Sequence, residues 1–199
     1  MRVHTLALVV VCMIAASCSS QTKDVRRSLR LVDNLLTYAK LNDARRCYRF
    51  ESTDLGQLAE EALERCHVRL SQGGYHVNFD PGPAPLRVLG DSSALGLVLD
   101  NLLDNAIKYS PPASCLTVEI HAQGSRALVR ISDEGDGIRE DERSSVFEKF
   151  VRGRLARAPG KGLGLAIVLR VITDHHGQVE LRPGPSRGTV VEIVLPCLT

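Results

Sequence analysis

The sequence predicts a two-layer α/β sandwich, an α+β arrangement of a mixed sheet backed by helices, with one further helix in front of it. Three observations carry that expectation. Apolar residues spaced three and four apart mark helices at 24–43, from Asp54 onward and at 92–109. Short runs of strand character, bounded by Gly, Pro and polar residues, lie between and after them. There is no internal repeat, and 199 residues suffice for one well-buried domain plus a modest extension.

In the leading helix Leu29, Val32, Leu35, Leu36 and Ala39 form a stripe strong enough to need a partner surface. Residues 44–53 break the pattern, and Phe50 is expected in a short strand. Asp54 opens the second helix, with Gln57 three residues on as in a capping box. Leu55, Leu58, Ala59, Ala62, Leu63 and Cys66 mark its buried face, and Gly73-Gly74 ends it. Strands are expected at His76 to Phe79 and Leu86 to Leu89, separated by the rigid turn Pro81-Gly82-Pro83-Ala84-Pro85. The third helix runs from Ser92 to Tyr109 and stops at Pro111-Pro112. Cys115 to Ala122 and Arg126 to Asp133 form a hairpin through Gln123-Gly124-Ser125. Residues 134–162 are irregular, and a loop that long inside a compact domain is usually functional. Leu163 to His175 is an apolar helix capped by Gly177, followed by strands at Val179–Arg182 and Thr189–Leu195.

Bulk properties exclude some functions. A net charge of +2 makes no electrostatic case for nucleic acid, and no Trp with 4% aromatics leaves few stacking platforms. The six Cys are scattered without a C-x-x-C pair, which fits reduced thiols in a cytoplasmic domain better than disulfides or zinc. The N-terminus is unusual. Arg2, an apolar run from Leu6 to Ala16 and Ser17-Cys18-Ser19-Ser20 resemble a signal peptide, or a lipoprotein signal with Ala15 in place of its Leu. The run is short for a membrane span of about 20 residues. A mis-started or truncated gene product is the competing origin.

Four clusters carry the chemistry. Asn101 and Asn105 lie four apart and share one face of the third helix, with Lys108 and Tyr109 a turn later. An amide oxygen can ligate Mg2+, which prefers oxygen donors and keeps water and phosphate oxygens. Lys108 can reach a phosphate; the competing role for the two Asn is a solvated face. Asp133 ends a strand and enters a turn with Gly135, Gly137 and Ile138. Its carboxylate can accept from the exocyclic amine of adenine, and the glycines let backbone pass close to a flat ring. Gly160-Lys161-Gly162-Leu163-Gly164-Leu165 opens a helix, where free N–H groups suit phosphate. Arg152, Arg154, Arg157 and Lys161 form a basic lid before it, with no acid among them. Phe147 and Phe150 can hinge and anchor that lid; plain core packing is the alternative. Neither the dinucleotide fingerprint nor a Walker A loop is present, since Glu140 replaces the third Gly and Gly162 the Ser/Thr.

In this order and spacing the clusters resemble the N, G1, F and G2 boxes of bacterial two-component sensor histidine kinases, and Gly188-Thr189 resembles their final Gly-Thr motif. The short basic lid and Arg170-Val-Ile-Thr-Asp-His-His-Gly look most like the osmosensing branch. The resemblance covers residues 48–197 and implies a Bergerat-type sandwich that binds ATP and Mg2+ between the third helix and the lid. It implies that Asn105 ligates Mg2+, that Asn101 sits near phosphate, and that Lys108 and Tyr109 contact phosphate and nucleoside. Asp133 would bind adenine N6 with Gly135 and Gly137 beside the base, and Gly162 to Leu165 would cradle phosphates. Leu31 to Lys40 looks like the end of the second helix of the family's dimerisation hairpin, which pairs into a four-helix bundle. The expected organisation is a leader at 1–20, a hairpin remnant at 21–45 and a catalytic kinase domain at 46–199.

The chain departs from the family in its phosphoacceptor. None of its His residues (4, 67, 76, 121, 175, 176) has the acidic neighbour and nearby Pro that the family's acceptor has. The expectation is a kinase that phosphorylates a His supplied in trans by a hairpin domain, serving a response regulator indirectly. It would be cytoplasmic, with attachment to the inner membrane face left open, and would dimerise weakly or not at all. Related ATPases carry a general-base Glu where Asn101 stands; a neutral amide cannot take a proton from water, which favours phosphoryl transfer over hydrolysis. An anti-sigma-factor-type Ser kinase and an ATP-binding module without kinase activity are the alternatives.

Overall fold

The computed structural model describes residues 48–148 and 162–198, all within one compact unit, Arg45–Thr199. The expected leader and the helix at 24–43 lie outside the described residues. The observed elements are β1 (Glu51–Asp54), α1 (Leu55–Gln72), β2 (His76–Asp80), β3 (Arg87–Gly90), α2 (Ser92–Tyr109), β4 (Cys115–Gln123) and β5 (Arg126–Ser132). Two 3-10 turns follow, Glu140–Glu142 and Ser145–Phe147, then α3 (Gly164–Asp174), β6 (Gln178–Pro183) and β7 (Thr189–Pro196).

Five strands form one mixed sheet in the order β2-β4-β5-β7-β6, with only the β2–β4 pair parallel. The register aligns Phe79, Val118, Ile131, Val191 and Leu181 into a single row across all five strands. Strand alternation puts that row on the face covered by the helices. Ile120, Val129 and Ile193 form a second row, each 3% exposed or less. Burying one such side chain stabilises the fold by about 1.5–3 kcal/mol. The opposite face is polar: Arg130 binds Glu192 at 2.8 Å and Glu119 at 3.4 Å, and Arg182 reaches Glu192 from the other side at 2.9 Å. Glu192 is thereby only 7% exposed yet fully paired, as a buried carboxylate must be.

The helices form the second layer, with α2 packed against both α1 and α3. Asp54 caps α1 by accepting from the N–H groups of Gly56 and Gln57 at 2.9 and 3.3 Å. Gln57 does not complete a capping box; its amide donates to Glu61 at 3.1 Å instead. Leu70 is buried on α1, whereas Leu63 is only half-buried, because the apolar face turns slowly along 18 residues. Phe50 lies just before its expected strand: β1 starts at Glu51 and pairs antiparallel with β3 in a separate two-stranded sheet.

The end of α3 also differs from expectation. His176, not Gly177, takes the left-handed conformation, with φ +58°. The N–H of Gly177 donates to Ile172 O at 2.9 Å and that of His176 to Thr173 O at 3.0 Å, which together make a Schellman motif. Gly177 is needed for room, since a Cβ there would lie 2.7 Å from the Val194 carbonyl oxygen.

Candidate functional site

Asn101 is 9% exposed, so a solvated face does not account for it. Its Nδ2 donates to Leu97 O at 2.8 Å, one turn back in α2. Its Oδ1 faces the start of α3, where a Cβ on Gly164 would lie 3.0 Å away. A side chain at 164 would therefore wedge the two helices apart. Asn105, one turn on, is half-buried, and its side chain has no hydrogen-bond partner among the described residues. Its carboxamide oxygen is a hard donor without a competing partner among the described residues, which fits a Mg2+ ligand. Lys108 Nζ donates to Tyr109 Oη at 2.8 Å, which tethers the ammonium at the end of α2. Tyr75 fixes that end by donating to the carbonyls of Ile107 and Ser110 at 2.8 and 3.1 Å.

Asp133 is the other fixed point. Its Oδ1 accepts from the N–H groups of Gly135 and Thr189 at 2.8 and 3.2 Å. Burial pushes its carboxyl up from the usual range, and those two N–H groups pull it partly back. With Oδ1 so engaged, Oδ2 is the atom able to accept from a ligand's amine. Gly135 passes under the last residue of α2, where a Cβ would lie 2.7 Å from Tyr109 O. Gly188 has φ +81°, and a Cβ there would overlap the Asp133 carbonyl oxygen. Gly188→Ala should therefore destabilise the fold by about 3 kcal/mol, through an unfavourable φ and a backbone clash together. Denaturant unfolding measures this; a midpoint like that of the unsubstituted protein would refute it.

The phosphate-type turn completes the arrangement. Gly162 takes φ +67°, and Leu163, 4% exposed, anchors the turn in the core. No side-chain cap is found for α3 among the described residues, and the N–H groups of a helix's first turn suit an anion. Ile138 and Leu165 are half-buried. Phe147 is half-buried in the second 3-10 turn, which packs against α3. The deeper anchor there is its neighbour Val146, 6% exposed. Phe150, Arg152 and Lys161, with the rest of the basic lid, lie outside the described residues.

The structure thus brings Asn101 beside Gly164, Tyr109 over Gly135, and Thr189 onto Asp133. Sequence reasoning missed Val146, Tyr75 and Glu134, whose Oε2 accepts from the Cys115 N–H at 2.9 Å and ties the acidic turn to β4. Only Glu134 carried any signal, as a member of the acidic turn.

Residues 90–199, more than half of the chain, match the model of the histidine kinase-, DNA gyrase B- and HSP90-like ATPase family. The chain belongs to that family.

Relatives of these ATPases narrow the branch. The sensor-like histidine kinase SenX3 of Mycobacterium tuberculosis is 32% identical over 208 residues, covering 98% of this chain and 50% of its own length. The signal transduction histidine-protein kinase/phosphatase MprB of Mycolicibacterium smegmatis is 40% identical over 152 residues, 73% of this chain and 30% of that protein. The chain spans about half the length of the SenX3 relatives, and less of MprB. Among solved structures, a mycobacterial sensor histidine kinase MprB superposes with a TM-score of 0.67 at 39% identity, over 74% of this chain and 98% of that one. Full-length ShkA in complex with AMPPNP superposes at 0.75 with 27% identity, over 87% of this chain and 36% of that one. The family's mixed sheet packed with helices is the fold observed. No described helix is long and apolar enough to cross a membrane.

Proposed function

We propose that this chain is the Mg2+–ATP-binding catalytic part of a two-component sensor histidine kinase, transferring the γ-phosphoryl group to a His on a separate hairpin domain. The observation that carries it is Asn101: a buried amide aimed at the start of α3, where a base for hydrolysis would otherwise stand. Around it, Asp133 Oδ2 would accept from adenine N6, with Gly135, Gly137 and Ile138 beside the base. Tyr109 would contact the nucleoside and Lys108 a phosphate. The open N–H groups of Gly162 to Leu165 would hold the phosphates, Thr189 would keep Asp133 in place, and Phe147 and Phe150 would anchor a lid bearing Arg152 and Lys161. Mg2+, held by Asn105, would neutralise charge on the phosphates. The protein's own contribution is positioning and charge stabilisation, as phosphoryl transfer requires.

In this proposal residues 21–45 extend the catalytic domain toward a dimerisation hairpin, and the domain works on the cytoplasmic side, where ATP is available. The response regulator receives the phosphoryl group from the hairpin His and does not touch the ATP site.

Mixing the chain with labelled ATP and a separate hairpin domain bearing the acceptor should label that His. The label should be acid-labile. An acid-stable phosphoserine on a partner would favour the anti-sigma-factor-type Ser kinase. No label while ATP is bound would leave an ATP-binding module and remove the kinase claim.

A further inference from the structure

His175 lies at the far end of α3 from the phosphate turn and is 2% exposed. Both ring nitrogens are engaged. Nδ1 pairs with Val171 O at 2.7 Å, and Nε2 accepts from the Asp91 N–H at 3.0 Å. That pairing requires the neutral ring with its proton on Nδ1. Asp91 is the N-cap of α2, its Oδ1 accepting from Ala94 N–H at 2.8 Å and its Oδ2 from Arg49 N–H at 2.9 Å. The segment leading into β1 closes over the same ring: Tyr48 and Phe50 each lie 5.0 Å from it, centroid to centroid. Tyr48 Oη also donates to Asp174 at 2.8 Å.

Helices α2 and α3 pack side by side, and a polar contact marks each end of that seam. Asn101 meets Gly164 at one, and Asp91 meets His175 at the other. Ten residues of α2 and eleven of α3 separate these points, about 15 and 16 Å at 1.5 Å per residue. Apolar packing holds the helices together, and the directional pairing at each end adds a contact that a one-turn slide would break. We infer that His175 is a positioning residue for the phosphate turn: through Asp91 it sets the register of α3 on α2, and through Tyr48 and Phe50 it joins that register to the segment entering the domain.

The neutral ring is essential, because a protonated Nε2 would face the Asp91 N–H as donor to donor. Burial holds the His175 pKa below the usual value; the hydrogen bond to the Val171 carbonyl, then Asp91 and Asp174, oppose this, and His176 adds to the lowering. Both Asp91 oxygens already accept from backbone N–H groups, and Asp174 Oδ2 is held by Arg170 and Tyr48. On the entering segment, Arg49 and Glu51 face each other at 3.8 Å. A His with a lowered folded pKa contributes stability above its unfolded value, about 6.5, and loses it as pH falls below that.

The inference uses the ATP site of the preceding section as one readout, and amide exchange gives a second that does not need it. His175→Gln keeps an acceptor near Nε2 without titrating; His175→Leu keeps bulk without an acceptor. At pH 7.5, His175→Leu should weaken Mg–ATP binding about tenfold and His175→Gln less than about threefold, the scale of one lost hydrogen bond. His175→Leu should also speed hydrogen exchange at Asp91 and at the first hydrogen-bonded amides of α3, from Ile167 on. As pH falls from 7.5 to below the usual His value, the unsubstituted protein should lose more affinity than His175→Gln does. Unchanged binding by His175→Leu, equal losses in both variants, or identical pH profiles would each overturn the role. If His175→Leu does not fold, the pH comparison with His175→Gln decides. If the unsubstituted protein binds no ATP, the nucleotide proposal fails, and exchange rates unaltered by His175→Leu would then sink this inference separately.

Discussion

Replacing Asn105 with Ala will erase the Mg2+-dependent part of ATP binding. Titrations with and without Mg2+ should become superimposable, and transfer to a hairpin His should fall by about a hundredfold or more, since charge neutralisation by the metal is worth several kcal/mol in such reactions. The fold should not suffer. Asn105 is half-buried and its side chain makes no hydrogen bond among the described residues, so truncation orphans no described partner. Ala is also a better helix former than Asn by about 0.5 kcal/mol. Lost metal dependence at unchanged or higher Tm is the expected signature. Affinity that still responds to Mg2+ would mean the ligand lies elsewhere.

Asp133→Asn should separate stability from recognition. The carboxyl is pushed up by burial, so its ionised form at neutral pH costs folding free energy. A raised carboxyl pKa contributes stability in full below the unfolded value, about 3.9, and that contribution is lost as pH rises through the folded value. Asn keeps an oxygen for the Gly135 and Thr189 N–H groups and carries no charge. The variant should melt at or above the temperature of the unsubstituted protein at pH 7 and flatten the pH dependence above pH 4. ATP affinity should drop roughly ten- to a hundredfold, the value of a hydrogen bond to a charged acceptor. An Asn can also turn its amide to donate, so the preference for ATP over GTP should shrink. Undiminished ATP affinity would remove Asp133 from the base site.

The regular elements were legible because their causes are local. The 92–109 helix carries its apolar period, its Asp91 cap and its double-proline stop within one stretch of chain, and the structure reproduces its bounds. The β4–β5 hairpin is equally local, held by alternation and a Gly turn. The ends that differed turn on choices among neighbours. His176 takes the left-handed position because Gly177 is needed for space against β7, a demand made by residues almost twenty positions later.

The site was legible as residue types and not as contacts. Four short clusters named the chemistry of an ATP pocket, and the family match stands on the same stretch. Asn101 could not be told from a solvated amide until α3 was laid against it. The binding of Asp133 to Thr189 spans 56 positions, and that of His175 to Asp91 spans 84. No periodicity reports such distances. By itself, the sequence determined which groups are available, through side-chain chemistry and local backbone preference. Tertiary structure alone decided which of them are buried, which oxygen of Asp133 is left open, and which His is held neutral. Burial and hydrogen-bond pairing depend on neighbours that only the closed fold supplies.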